Sequence, residues 1–137
     1  MRGFAVDLAA LGDTGPLWRD WLDDARRRFR IEGEALDDEL PNWRQLLERY
    51  AEERAPVYFR RDSDVSDALR RLRAHGARVA VFTDVPEELA RVALDHLGAA
   101  RRIEALESGS GAEERAVARL GSGAAVVRTR DELLAVT

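Results

Sequence analysis

Gly76-Ala77-Arg78-Val79-Ala80-Val81-Phe82-Thr83-Asp84-Val85-Pro86-Glu87 reads as a helix stop, a buried strand and a helix start in direct succession. Gly76 suits a left-handed C-terminal cap for a helix over Asp64 to His75, in which Val65, Ala68, Leu69 and Leu72 recur on one face. Val79 to Phe82 is an apolar run of strand length. Asp84 then reads as an N-cap, Pro86 as a first-turn proline and Glu87 as a capping-box partner, opening a helix through Leu89, Val92, Ala93 and Leu97 that stops at Gly98. Downstream the same unit recurs twice. Ile103 to Leu106 predicts a strand, Ser110 to Glu113 a capping box, and Ala116, Val117 and Leu120 a helix ending at Gly121. Ala124 to Val127 predicts another strand, with Thr129 to Glu132 as the capping box before Leu133 and Leu134. Successive strand, cap and helix units call for a parallel sheet with right-handed crossovers.

Upstream, Phe4, Ala5, Val6 and Leu8 form a first short strand, and Gly12-Asp13-Thr14-Gly15-Pro16 punctuates the chain after it. The period then becomes helical. Leu17, Trp18, Trp21, Leu22, Ala25 and Phe29 share one face; Gly33 breaks the pattern; a brief turn includes Ala35, Leu36 and Leu40. Pro41 opens a second helix with Trp43, Leu46, Leu47, Tyr50 and Ala51, and the regular alternation starts after Pro56-Val57-Tyr58-Phe59. The fold class predicted is α/β, a Rossmann-like parallel sheet flanked by helices, as one domain over 1–137 with a helical cap inserted after the first strand at 15–60. All three tryptophans lie in that insertion, where they either fill a small helical core or stack on a ligand.

Composition narrows the chemistry. With 45% apolar and 35% charged residues among 137, the chain is globular in character. It has no cysteine, which removes thiolate metal sites and thiol nucleophiles. Every basic side chain is arginine, so Schiff-base and phosphate-clamping lysines are excluded. The net charge is −4 with the arginines scattered among acids, so no nucleic-acid partner is expected. No run is long enough to span a bilayer and no secretory leader is evident, so no membrane partner is expected and the localisation expected is cytoplasmic.

In a parallel sheet, ligands gather at the carboxyl ends of the strands. The positions there are Asp7, Ala9 and Ala10; Thr83 and Asp84; Glu107 to Gly111; and Arg128 to Asp131. Asp7 can cap a turn at the strand end, and Thr83 can cap the next helix. Ser108-Gly109-Ser110-Gly111 is either an anion nest or a plain connector. His75 and His96 stand just before helix-ending glycines and suit the negative end of the helix dipole rather than catalysis. Asp37-Asp38-Glu39 and Arg26-Arg27-Arg28 read as solvated helix faces.

Phe4-Ala5-Val6-Asp7-Leu8-Ala9-Ala10, then Gly12-Asp13-Thr14, a helical insertion, and Val79 to Leu89 with Thr83 at the strand end resemble the haloacid-dehalogenase-like (HAD) hydrolases over nearly the whole chain. The resemblance implies Asp7 at the nucleophile position and Thr83 at the phosphate-contact position. It also implies departures. The acid/base position, two residues after the nucleophile, holds Ala9, so a phospho-aspartate would lack a group to activate water. The family lysine has no counterpart, leaving Arg101, Arg102 or Arg115 as substitutes in its region. The acids expected after the fourth strand are missing from Val127-Arg128-Thr129-Arg130-Asp131, so a magnesium ion would have only Asp7 and Asp84 or Glu107.

The function expected is that of a HAD-like, phosphatase-like protein with an incomplete active site, acting by binding an unknown protein partner or a small phosphorylated ligand. In that case no cofactor is expected. Two alternatives stand beside it. One is an active phosphohydrolase on a small phosphorylated metabolite with Asp7 as nucleophile and Mg2+ as cofactor; the other is a structural subunit that forms a homodimer through the tryptophan-rich helices.

Overall fold

The computed structural model describes residues 2–33 and 35–137. Its strands β1 (Gly3–Asp7), β2 (Arg78–Thr83), β3 (Ala105–Ser108) and β4 (Ala125–Val127) form one parallel sheet in the order β3-β2-β1-β4. The helices are α1 (Gly15–Phe29), α2 (Leu36–Glu39), α3 (Trp43–Tyr58), α4 (Ser63–Ala74), α5 (Glu87–His96), α6 (Ala112–Leu120) and α7 (Arg130–Ala135). This is the α/β architecture that the alternating pattern calls for.

The two-residue period of the strands divides the core in two. Phe4, Val6, Val79, Val81 and Val127 join a large cluster with residues of α1, α3, α4, α5 and α7, among them Leu17, Leu47, Leu69, Leu89 and Leu133. Ala5, Ala80 and Phe82 point the other way and pack against Ala112 and Ala116 of α6. On that second face the helix comes close to the strands. A Cβ at Gly3 would lie 3.0 Å from the Cβ of Leu120, so a larger residue there would require α6 to shift by a few tenths of an ångström.

Helices α1 to α3 occupy the chain between β1 and α4 and share the large core with the sheet. α3 lies against α5, and the starts of the two helices are joined by an Arg44–Glu88 ion pair at 3.0 Å. The three indole rings pack together: Trp18 and Trp21 stack at 5.7 Å between centroids, and Trp43 lies 6.2 and 6.0 Å from them. Trp43 also donates its Nε1–H to Asp37 at 2.8 Å. Trp21 and Trp43 are buried, so these rings fill the helical core.

α3 runs through Pro56 to Tyr58; Pro56 sits in the last turn, where buried Ala55 and Phe59 anchor the helix and the Phe59 N–H closes it onto the Ala55 carbonyl at 2.8 Å. Two local expectations are corrected. β3 starts at Ala105, two residues past the predicted start at Ile103, because a 3-10 turn over Ala100–Arg102 comes first and the pairing with β2 begins at Ala80–Ala105. Of the three capping boxes only the last forms. Thr129 accepts the Glu132 N–H at 3.1 Å and Glu132 reaches back to the Arg128 N–H at 3.0 Å. Asp84 does not cap α5, since a residue before proline resists helical backbone and Pro86 itself, with extended backbone, becomes the N-cap. Ser110 does not cap α6 because Gly111, at φ +76°, holds that position.

Asp62 caps α4 by accepting the N–H groups of Asp64 and Val65 at 3.0 and 3.3 Å, and binds Arg130 of α7 at 2.7 Å. The hydrogen bond from Arg130 holds the Asp62 carboxyl below its ordinary range. A depressed carboxylate pKa adds stability above the unfolded-state value that is lost as pH falls through the folded value. Asp62→Asn should therefore be less stable than the wild type at pH 7, with the gap closing on acidification below the ordinary carboxylate range, as read from urea midpoints.

Leu47 of α3 is fully buried in the shared core. Leu47→Ala should cost about 2–5 kcal/mol. Because insertion and sheet bury each other, tryptophan fluorescence and far-UV circular dichroism should report the same urea midpoint in the wild type and the variant; two separated transitions would show independent units.

Candidate functional site at the strand ends

All four strands are parallel, so their carboxyl ends open on one side of the sheet. A cleft of about 660 Å³ lies there, lined by the ends of β1 and β2, the loop into α6 and the residue after β4. It brings together Asp7, Thr83, Asp84 and Arg128, all among the strand-end positions named from the sequence, and adds Asp13 and Glu113. From the helical insertion only Gly15 reaches the lining; α3 packs on α5 and α1 on α3, and none of α1 to α3 contributes a side chain to the cleft walls.

Asp7 ends β1 opposite Phe82 of β2. Its Oδ1 accepts the Ala9 N–H at 3.0 Å and caps the 3-10 turn Leu8–Ala10 that follows. Ala9 lines the same cleft, exposed, and offers only a methyl group. Asp13 accepts the Gly15 N–H at 2.9 Å, which sets the entry into α1. Thr83 is buried at the end of β2, opposite Ser108 of β3, and its Oγ1 accepts the Val85 N–H at 3.3 Å. The hydroxyl thus shapes the turn out of the strand while its own O–H can still donate.

The loop Ser108 to Gly111 owes its shape to glycine and to one arginine. Gly109 and Gly111 adopt φ of +82° and +76°, a region open to glycine at little cost. Gly109 donates its N–H to the Thr83 carbonyl at 2.9 Å, so that group is engaged within the fold. Arg115 donates to the Ser108 and Ser110 carbonyls at 2.6 Å each and also binds Glu107 at 3.2 Å.

The arginines fall otherwise than the sequence suggests. Arg115 is a staple for the loop and Arg101 and Arg102 line a different pocket, so none of the three lines the cleft. The cleft arginine is Arg128, which directly follows β4. Its guanidinium is ion-paired with Glu113, and that partner, with a smaller contribution from Asp7, holds the arginine firmly in its charged form. The sequence signal for it was its position one residue past the fourth strand.

The cleft lining carries Asp7, Asp13, Asp84, Glu113 and Glu114 against this one arginine. Glu107 is drawn away into ion pairs with Arg115 and Arg119. Among the described residues no three acidic or histidine side chains converge as a metal-binding group, and the carboxylates of the cleft are Asp7, Asp13, Asp84, Glu113 and Glu114. No helix of the described residues is long and apolar enough to cross a membrane.

The chain aligns over 99% of its length with the crystal structure of a putative beta-phosphoglucomutase from Thermotoga maritima, covering 98% of that chain at a TM-score of 0.53 and 16% identity. The two chains share a fold. No protein-family model matches the chain, and no curated protein matches it. At this identity the likeness is one of fold: a four-stranded parallel sheet between helices.

Removing the Arg115 staple should loosen the loop without unfolding the protein, because the guanidinium is exposed and solvent-screened contacts of this kind are worth about 0–1 kcal/mol each. Arg115→Leu should speed amide hydrogen exchange at Ser110 and Gly111 by about tenfold or more, while exchange in β1 and β2 stays near the wild-type rate.

Proposed function

We propose that this chain is a HAD-like, phosphatase-like protein that does not turn over phosphate esters and acts by binding. The observation that carries this reading is Ala9. In the arrangement that the resemblance implies, the carboxylate two residues after the nucleophile protonates the leaving group and then activates water; a methyl group at the cleft wall can do neither. The charge balance supports the same reading. A phosphate ester entering the cleft meets several carboxylates and one arginine already paired with Glu113.

One observation favours the alternative of an active phosphohydrolase: Asp13 lines the same cleft as Asp7 and Thr83. In that reading Asp7 attacks phosphorus and Asp13 takes the acid/base role. The two readings part in one assay. The purified protein is incubated with p-nitrophenyl phosphate over a wide pH range, with and without Mg2+, alongside Asp7→Asn and Asp13→Asn. The expected result is release no faster in the wild type than in either variant. Turnover that both substitutions abolish would establish catalysis and overturn the binding-only reading.

A further inference from the structure

A second concavity, of about 540 Å³, shares no lining residue with the strand-end cleft. Four arginines line it, Arg61 from the segment before α4, Arg73 near the end of α4, and Arg101 and Arg102 from the 3-10 turn before β3, with Asp95 as the one acid.

These arginines differ from most others in the protein. Arg44, Arg78, Arg115, Arg119, Arg128 and Arg130 are each ion-paired with a carboxylate. Among the described residues, none of the four in the pocket has a carboxylate within 4.0 Å. Two are fixed by backbone instead: Arg73 donates to the Arg101 carbonyl at 2.7 Å and Arg102 to the Gly98 carbonyl at 2.5 Å. A carbonyl orients a guanidinium without neutralising it, and each guanidinium has five N–H donors, so most stay available. Arg61 lies across Gly98, where an added Cβ would meet its guanidinium carbon at 3.2 Å; the absence of a side chain there lets the arginine lie close to the turn.

Like charges gathered in one hollow repel, and an anion that bridges them relieves that repulsion. Guanidinium forks match the oxygen edges of phosphate groups in two-point contacts. The volume is in the range of about 300–1,000 Å³ that small-molecule sites occupy, ample for more than one phosphate. The concave shape favours a compact ligand over an extended nucleic-acid backbone, which is tracked by a stripe of charge.

We propose that Arg61, Arg73, Arg101 and Arg102 form a binding site for a small polyanion carrying two or more phosphate groups. The site is independent of the strand-end cleft and of whether that cleft catalyses.

The test is calorimetric titration of the full chain with inorganic tripolyphosphate at low salt, in parallel with Arg61→Gln/Arg101→Gln and with the charge-matched control Arg26→Gln/Arg27→Gln on the exposed face of α1. Wild type and control should bind saturably with affinities within about twofold of each other, and the pocket variant should bind at least about tenfold more weakly. Equal weakening in pocket variant and control, no weakening in the pocket variant, or no saturable binding by the wild type would overturn the proposal. So would tighter binding of a short single-stranded oligonucleotide than of tripolyphosphate at equal salt. An amide chemical-shift titration of the wild type needs no variant to fold: shifts should concentrate at Gly98 to Arg102, and shifts centred on Ser108 to Gly111 instead would place the anion in the other cleft.

Discussion

Ala5 and Ala80 stand side by side in the two central strands, and on the face they share α6 presents Ala112 and Ala116. Small residues on both surfaces let the helix lie close, and the strand order depends on it. The chain leaves the sheet at β3 on one edge and must re-enter as β4 beyond β1 on the other, so the crossing helix spans the central strands. That crossing brings the α6 N-terminus and its Ser108 to Gly111 loop to the strand ends, and sets Arg128 past β4 on the far side of Asp7. A bulky residue at Ala5 or Ala80 would lift α6 and move both walls of the cleft. On the opposite face, Phe4, Val6, Val79 and Val81 fill the wider space under several helices.

The sheet and its order of elements were legible because each strand is a short apolar run and glycines mark several helix ends. Gly76 and Gly98 do adopt the left-handed backbone that such stops require. Cap chemistry was less legible, because a capping box depends on backbone dihedrals that composition leaves open. Thr129 has extended backbone at φ −129° and its hydroxyl reaches Glu132. Ser110 and Glu113 have the same spacing, but the intervening Gly111 turns left-handed and no box closes. The register of β3 was hidden for a similar reason. Ile103 is as apolar as any strand residue, yet the hydrogen bonds of the preceding turn decide where pairing starts.

Of the candidate site, Asp7, Thr83 and Asp84 were readable from the rule that parallel strands present their carboxyl ends together. Arg128, one residue past β4, was readable from the same rule, whereas the placement of Arg101, Arg102 and Arg115 was not. With no lysine in the chain, arginine fills every basic role, and its long side chain lets residues adjacent in sequence serve different places. Arg115 and Arg119, one turn apart on α6, both reach Glu107, and Arg115 also holds two loop carbonyls. Arg101 and Arg102 follow the same α5 and turn away from the cleft altogether. Sequence distance gives no guide to which of these a side chain will do, because the choice depends on which carbonyls and carboxylates lie within about 6 Å of reach.

The distribution of charge separates two chemistries on one small fold. Carboxylates collect at the strand ends, where Arg128 is already bound to Glu113 and serves to join α6 to the end of β4. Guanidiniums without acid partners collect between α4 and the turn before β3. The carboxylates at the strand ends oppose an approaching anion, whereas the arginine-lined hollow attracts one. If the strand-end cleft retains a ligand, its carboxylates favour a cationic or hydrogen-bond-donating group, and Asp7, engaged with the Ala9 N–H through one oxygen, still offers the other.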